Sequence, residues 1–295
     1  MMICPDCRKP LEEAENGYRC TGCGAVFSIE EGVPVFAGPD SESADGFRDD
    51  FFEGFHRREA KHFWHTGRKN IIFRLVRKYY RPGWRMIELG CGSGNVVEYL
   101  NRKGLPVEGG DIFPSAIKFA AGKTKTKFFR IDILNLPFRD EYDAIGIFDV
   151  LEHIDDDRAA LGRINEALKT GGLLFVTVPA GKALWSNFDE FYCHRRRYEK
   201  NELKRALEES GFRVLRLSHF VFLLYPLVAV TRKLSGKYRD SGREIEKYDA
   251  VKIVPVVNTV LSLVMMLESL LVSLADLPCG SSLVCVAKKE KDITG

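Results

Sequence analysis

Two groups of residues in this 295-residue chain have the types and spacing to do chemistry. The first is cysteine. Cys4-Pro5-Asp6-Cys7 and Cys20-Thr21-Gly22-Cys23 are two C-x-x-C pairs separated by twelve residues. Two such knuckles let four thiolates converge on one tetrahedral ion, with Cys4, Cys7, Cys20 and Cys23 as its ligands. A stretch this short buries too little apolar surface to fold alone, so the metal would supply much of its stability. Zinc is the ion expected; iron in the same cage and a pair of disulfides are the alternatives. The start, Met1-Met2-Ile3-Cys4-Pro5, lacks the long apolar run of a secretory signal, which points to a cytoplasmic setting and against disulfides.

The second group is Met86-Ile87-Glu88-Leu89-Gly90-Cys91-Gly92-Ser93-Gly94. An apolar strand ends on an acid, and glycines at alternate positions strip every Cβ from one side of the following turn. A ligand can then approach the backbone closely. Pro82-Gly83 introduces the strand Arg85–Leu89, and Val96, Val97 and Leu100 mark one face of a helix over Asn95–Arg102. A second strand, Val107–Gly110, ends at Asp111, where a Rossmann-type unit places the acid that holds a ribose. The site has the form of a nucleoside cofactor site, but the glycines run G-x-G-x-G rather than G-x-G-x-x-G.

The elements that must position these residues follow in order. Lys127–Ile133 reads as a third strand with Asp132 near its end, and Asp143–Val150 as a fourth. Asp155, Asp156 and Asp157 open a helix through Leu168, which Lys169-Thr170-Gly171-Gly172 closes. Leu173–Val178 is a continuous apolar strand, as expected of one buried on both faces. Strands alternating with helices at this spacing predict a doubly wound parallel sheet. A helix is expected over Asn70–Tyr80, another over Asn201–Ser210, and strands over Phe212–Leu217 and Ser282–Ala287.

The glycine loop after an acid resembles motif I of class I S-adenosylmethionine-dependent methyltransferases. With Asp149-Val150-Leu151-Glu152-His153, the stretch from about Phe63 to Lys289 resembles the Leu-Glu-His type, which includes ubiquinone-biosynthesis O-methyltransferases. The resemblance implies an α/β fold with a Rossmann-like seven-stranded methyltransferase sheet and S-adenosylmethionine as cofactor; Zn2+ is expected from the cysteine spacing instead. It assigns cofactor contacts to Glu88, Gly90, Gly92, Gly94, Asp111, Asp132 and Asp149, with Ile112 and Ile133 against the adenine. Phe63-Trp64-His65-Thr66-Gly67-Arg68 resembles a segment that covers the cofactor, so Trp64 and Arg68 join that set, Arg68 as a fork for the methionine carboxylate. If the acceptor is a hydroxyl, His153 is the candidate base, with Asp149 beside it. A helix-capping role is the alternative for His153.

After strand five, Leu184-Trp185-Ser186, Asp189 and His194-Arg195-Arg196-Arg197-Tyr198 resemble a pattern found in related methyltransferases. A loop carrying such residues at the sheet's carboxyl edge is a candidate acceptor lid. Trp185, Asp189, His194, Arg196, Arg197 and Tyr198 are its candidate substrate-binding residues.

The segment Val26–Phe36 after the knuckles resembles the zinc-ribbon proteins that activate tRNA, rRNA and release-factor methyltransferases. The domain plan is therefore a ribbon over 1–37, a linker and helical lead-in over 38–62, and a methyltransferase core over 63–218. An apolar helical insertion over 219–280 and a last strand and tail over 281–295 complete it. In the insertion, Val254–Leu277 reads as a helix with a polar stripe at Asn258, Ser262, Ser269, Ser273 and Asp276, apolar elsewhere. Glu268 interrupts it, which argues against a spanning helix. A buried cap, a homodimer interface, and a peripheral contact of 219–277 with the inner face of the membrane stay open.

Charge separates the partners. Residues 1–50 hold 4 Lys/Arg against 11 Asp/Glu, a balance of −7, while the remainder holds 40 against 30, a balance of +10. An acidic ribbon is a poor phosphate binder, and there is no extended basic stripe and no Asn-Pro-Pro-Tyr motif for a base amine. The expected partner is a small-molecule or lipid-linked methyl acceptor. An rRNA or tRNA methyltransferase and a cofactor-binding activator subunit are the alternatives.

Overall fold

The computed structural model describes residues 1–38, 59, 61–235 and 254–290. Most of the expected linker lies outside the described residues, as do Lys237, Arg239 and Arg243 of a charged link that begins with Arg232 and Lys233.

The N-terminal unit is a four-stranded antiparallel meander of β1 (Leu11–Ala14), β2 (Gly17–Cys20), β3 (Val26–Glu30) and β4 (Val33–Pro34). After it come α1 (Phe63–Tyr79), β5 (Met86–Leu89), α2 (Asn95–Arg102), β6 (Glu108–Asp111), α3 (Pro114–Ala121), β7 (Phe128–Arg130) and β8 (Tyr142–Phe148). The chain continues through α4 (Asp157–Ala167), β9 (Leu168–Pro179), α5 (Asn187–Phe191), α6 (Lys200–Glu209) and β10 (Phe212–Phe220). It ends with α7 (Tyr225–Ser235), α8 (Pro255–Leu274) and β11 (Ser282–Lys289).

Strands β5 to β11 form one seven-stranded sheet in the order β10-β11-β9-β8-β5-β6-β7, as expected. Five strands run parallel, and β11 is antiparallel to both neighbours. The period-two alternation of strands divides their side chains between two helical layers. Ile87, Ile145, Val176 and Cys285 face α4 and α6, while Met86, Ala144, Phe175 and Val284 face α1, α2, α3 and α8. The chain reverses direction across the sheet between β5 and β8, and at such a switch point the strand ends leave a crevice.

Several boundaries are corrected. α1 begins at Phe63, not Asn70, because the His62 ring accepts the Trp64 amide at 3.3 Å and caps the helix there. Trp64 and Arg68 therefore project from the first turns of this helix. α4 ends at Ala167, and the expected closing turn from Lys169 is already part of β9. β10 runs three residues past Leu217, and β11 two past Ala287, since each pairs with the other to its end.

The ribbon sits on the far edge of the sheet. Val35 bridges Arg130 of β7, the Phe36 amide donates to the Arg130 carbonyl at 2.8 Å, and Ile3 donates to the Pro137 carbonyl at 3.0 Å. Phe36 enters the same core as Ile87 and Ile145. The free edge of β7 is thereby covered. On the other flank α8 lies along α1 so closely that a Cβ at Gly67 would come within 2.5 Å of the Met265 Cβ.

Candidate active site and metal centre

The four N-terminal thiols converge as their spacing requires. All four Sγ atoms lie within 4.8 Å of one another, with Cys7 and Cys20 at 3.3 Å and Cys4 and Cys23 at 3.7 Å. The amides of Gly22 and Cys23 donate to the Cys20 sulfur at 3.3 and 3.4 Å, the knuckle geometry that holds a thiolate. These amide bonds, the Cys23 one foremost, draw the Cys20 thiol down to about 6. The donor set and its closeness fit a tetrahedral metal.

At the switch point a cavity of about 910 Å³ opens over the carboxyl ends of the strands. Gly90 and Gly92 take left-handed backbone, at φ +70° and +51°. A Cβ on Gly90 would strike the Val150 side chain at 2.4 Å, whereas above Gly92 nothing lies within 4 Å. Gly90 is thus required by packing and Gly92 by open approach. The Gly92 amide donates to Asp111 Oδ2 at 2.7 Å and the Phe113 amide to Oδ1 at 3.1 Å, so Asp111 braces the loop while lining the cavity. Burial raises its pKa against these amide bonds.

Glu88 is buried at the cavity wall and its Oε2 has no hydrogen-bond partner. Burial lifts its carboxyl to about 8, with Glu59 and Asp111 adding to the rise against Arg68. Asp149 follows β8 with φ +58°, a conformation that aspartate tolerates better than most residues. It is fixed by Thr177, whose hydroxyl donates at 2.9 Å, and by an ion pair with Arg68. The Arg68 guanidinium also stands 5.0 Å from the Trp64 ring. Two residues expected to meet a cofactor separately are therefore each other's partners. Asp132 lies just beyond β7 and accepts from the Leu134 amide at 2.9 Å; it lines the cavity with Ile112 and Ile133.

Opposite these, Asp189 is the hub of the other cavity wall. It is fully buried and meets Arg197 at 2.7 Å, Arg232 at 2.6 Å and His194 Nδ1 at 3.0 Å. Burial alone would raise its pKa, but His194, Arg197 and Arg232 outweigh it and hold the carboxyl well below the usual range. His153 and His194 meet edge to face at 5.0 Å. Burial, with the neighbouring His194, lowers His153 to about 4, so it is neutral at pH 7.

Not every expected residue reaches the cavity. Gly94 serves instead as the left-handed N-cap of α2, under Ala120. Trp185 lies on the surface, with its indole directed at Glu190. Arg196 turns away to Asp155 and Asp157, and the Tyr198 hydroxyl donates to Asp157 at 2.7 Å. An alternating strand-like run cannot send Arg196, Arg197 and Tyr198 the same way, and only Arg197 points inward.

Four residues were missed. Glu59, in the expected linker, lines the cavity, accepts from Ser93 at 3.3 Å and pairs with His65 at 3.1 Å. Burial opposes its ionisation, yet His65 and Arg68 hold it at about 2. Glu152 is 0% exposed, neither of its oxygens has a hydrogen-bond partner, and burial pushes its pKa well up. Tyr192 and Arg232 complete the wall. Glu152 stands inside the Leu-Glu-His run, so a signal existed; Glu59 and Arg232 had none beyond their charge.

Parts of the chain are similar to known proteins. A stretch similar to the ubiquinone biosynthesis O-methyltransferase of Bradyrhizobium sp. is 37% identical over 102 residues, covering 32% of this chain and 40% of that protein. The O-methyltransferase resE of Aspergillus sclerotiorum is 30% identical over 151 residues, covering 45% of this chain and 56% of that one. The chain thus spans about half or less of these curated relatives.

Among solved structures, a chain of the complex between the Haloferax volcanii Trm112 methyltransferase activator and its methyltransferase superposes with a TM-score of 0.56. Its identity is 18%, covering 84% of this chain and 99% of that one. The [4+2]-cyclase SpnF gives 0.50 at 17%, over 75% and 80%. These likenesses show the fold alone, since a cyclase shares it. Residues 55–217 match the family described as Methyltransferase domain. With more than half of its residues inside that match, the chain belongs to the methyltransferase domain family.

Proposed function

We propose that this protein transfers a methyl group from S-adenosylmethionine to an oxygen of a small or lipid-linked acceptor, and that its ribbon is a zinc-held structural unit. One observation carries the reading. A single cavity has Glu88, Gly92, Asp111 and Asp149 on the wall over the glycine loop and Asp189, His194 and Arg197 on the opposite wall. The bare carboxyl oxygen of Glu88 suits an ammonium group, and the open space above Gly92 suits a ligand lying on the backbone. The O-methyltransferase names of the relatives support oxygen as the acceptor atom.

Glu88, Gly92 and Asp111 would hold the cofactor, which would supply an electrophilic methyl on a sulfonium for in-line transfer to an acceptor hydroxyl oxygen, the C–S bonding pair staying on sulfur. The chain's own residues hold the two reactants together and take the hydroxyl proton. His194 holds Nδ1 3.0 Å from Asp189 and Nε2 3.9 Å from Glu152. His153, neutral beside it, is the candidate proton acceptor. Asp189 is a positioning residue that fixes the His194 ring.

The test is calorimetric titration of metal-loaded protein with S-adenosylmethionine and, separately, S-adenosylhomocysteine. Micromolar binding of both, weakened about 100-fold in Asp111→Ala, is expected, since that change frees the loop amide and removes a buried acceptor. Absence of binding in folded, metal-replete protein sinks the reading.

A further inference from the structure

The polar stripe of α8 faces the wrong way for a helix on a water-exposed surface. Asn258 is turned inward, where it accepts the Phe63 amide at 2.8 Å and donates to the Lys61 carbonyl at 3.0 Å. Ser269 accepts from Arg74 at 3.1 Å, and Glu268, the only charged residue of the helix, is buried under the Leu223 amide at 2.9 Å. Apart from Thr259, whose hydroxyl donates back to the Pro255 carbonyl at 2.9 Å, the outward face is apolar: Val256 at 76% exposure, Val260, Leu263 at 57%, Leu267, Leu270 and Leu274 at 82%. Val257 and Met266 widen it on both sides. Amphipathicity is inverted along 20 residues, or about 30 Å of helix.

The adjoining α7 repeats the pattern and links it to the cavity. Leu227 and Val230 are half exposed on its outer side, while Val228, Thr231 and Arg232 line the cavity from the same turns. Arg232 ties the helix to Asp189, Ser186 and the Leu184 carbonyl on the acceptor side. α1 runs parallel to α8, as the Phe63–Asn258 and Arg74–Ser269 bonds show, and exposed cations flank the apolar face at Lys61, whose carbonyl accepts from Asn258, and at Lys233 in the last turn of α7.

We propose that the outer faces of α7 and α8 form a docking surface for a lipid bilayer, with the protein lying on the membrane and its acceptor cavity beside the bilayer. A broad apolar arc with cations at its rim is what an interfacial element presents. α8 is long and apolar enough to cross a membrane, but it is packed along α1 and β10, which fixes it on the core's surface. The spacing of Val256, Val260, Leu263, Leu267, Leu270 and Leu274 would also serve a helix from a second copy. A seam of that kind has charged flanks, whereas here the flanks are Val257 and Met266 and a second helix continues the surface. The docking surface is independent of the chemistry. The acceptor class it selects, one carried on a lipid, rests on the methyl transfer proposed above.

The test is flotation of the full-length, metal-loaded chain with phosphatidylcholine vesicles, with and without phosphatidylglycerol. Wild type should float, most strongly with phosphatidylglycerol, and Leu263→Asp/Leu267→Asp should weaken vesicle binding by at least ~100-fold. S-adenosylhomocysteine affinity should be unchanged in that variant. Vesicles should also slow amide exchange of residues 255–274 in the wild type, a readout that needs no variant. A wild type that does not float, or a variant that floats as well, overturns the proposal. A solution dimer that the double substitution splits, with no vesicle binding, assigns the face to a second copy instead. Loss of cofactor binding with flotation intact would remove the methyltransferase reading and leave the docking surface standing.

Discussion

The two appendages of this core solve the same problem in opposite ways. The ribbon has almost no core of its own: β1 and β3 are largely exposed, and four thiols stand where apolar side chains would be in a larger unit. It joins the sheet through backbone bonds at the edge farthest in strand order from β10 and β11, and reaches α4 through the Arg8–Glu166 ion pair. The α7–α8 insertion is rich in apolar side chains but turns many of them outward, and it builds a wall of the cavity. No ribbon residue lines that cavity among the described residues. An appendage remote from the chemistry acts on stability, and one that lines the site acts on what can enter it.

Metal removal should separate the two most sharply. Chelation, or Cys4→Ser with Cys20→Ser, should unfold the ribbon, since a zinc site of this size supplies on the order of 10 kcal/mol of local folding free energy. Limited proteolysis should then cut within residues 1–38, while S-adenosylhomocysteine affinity stays within a few-fold of wild type. A complete loss of that affinity would erase the distinction between the appendages.

The next effect belongs to the core that both share. Glu88 has a folded pKa of about 8 against an ordinary 4.5, so between those values the folded state keeps a proton that the unfolded state releases. Its contribution is therefore destabilising, growing as pH rises from 4.5 to 8 and level above. Glu88→Gln should flatten that slope and raise stability at pH 8 by on the order of 3 kcal/mol. Urea denaturation at several pH values measures it. The same variant should weaken cofactor binding, the usual exchange of stability for a functional charge.

Much of this architecture was readable in the sequence because local and global signals agreed. Ala144–Phe148 and Leu173–Val178 are apolar runs that read as strands on their own, and the knuckles carry their own spacing. The residues that went unread are those whose role depends on where distant segments meet. Arg232 was one cation in a charged link, and nothing near it announces that its helix folds back onto Asp189. Glu59 sits in a stretch with linker composition. The pairing of Arg68 with Asp149 could not be seen either, because each residue by itself suits a ligand. The inverted stripe of α8 was visible as a stripe, but a periodic pattern does not say which side faces the protein.

Arg232 tests whether the insertion is mechanically part of the site. Arg232→Met keeps most of the side chain's volume and removes one of two guanidinium partners from a fully buried carboxylate. Arg197 remains, so the expected loss is about 2 kcal/mol, below that of an unpaired buried charge. Thermal unfolding gives that number. Amide exchange should rise in 225–233 and 184–192 together if the tie couples them, and in only one of the two if it does not.

The smallest effect tests the ribbon's tie in the same way. Arg8 has φ +61°, donates to the Leu136 carbonyl at 2.8 Å and pairs with Glu166 on α4. Glu166 keeps Arg139 at 2.7 Å when Arg8 is removed, so no charge is stranded. Arg8→Ala should therefore cost only about 1 kcal/mol, the worth of one hydrogen bond and a partly exposed ion pair. Because the backbone bonds from Ile3 and Phe36 to the core remain, the ribbon should stay docked, with exchange faster in residues 1–11 alone. If the loss instead approached that of metal removal, the guanidinium and not the sheet edge would be what holds the ribbon on.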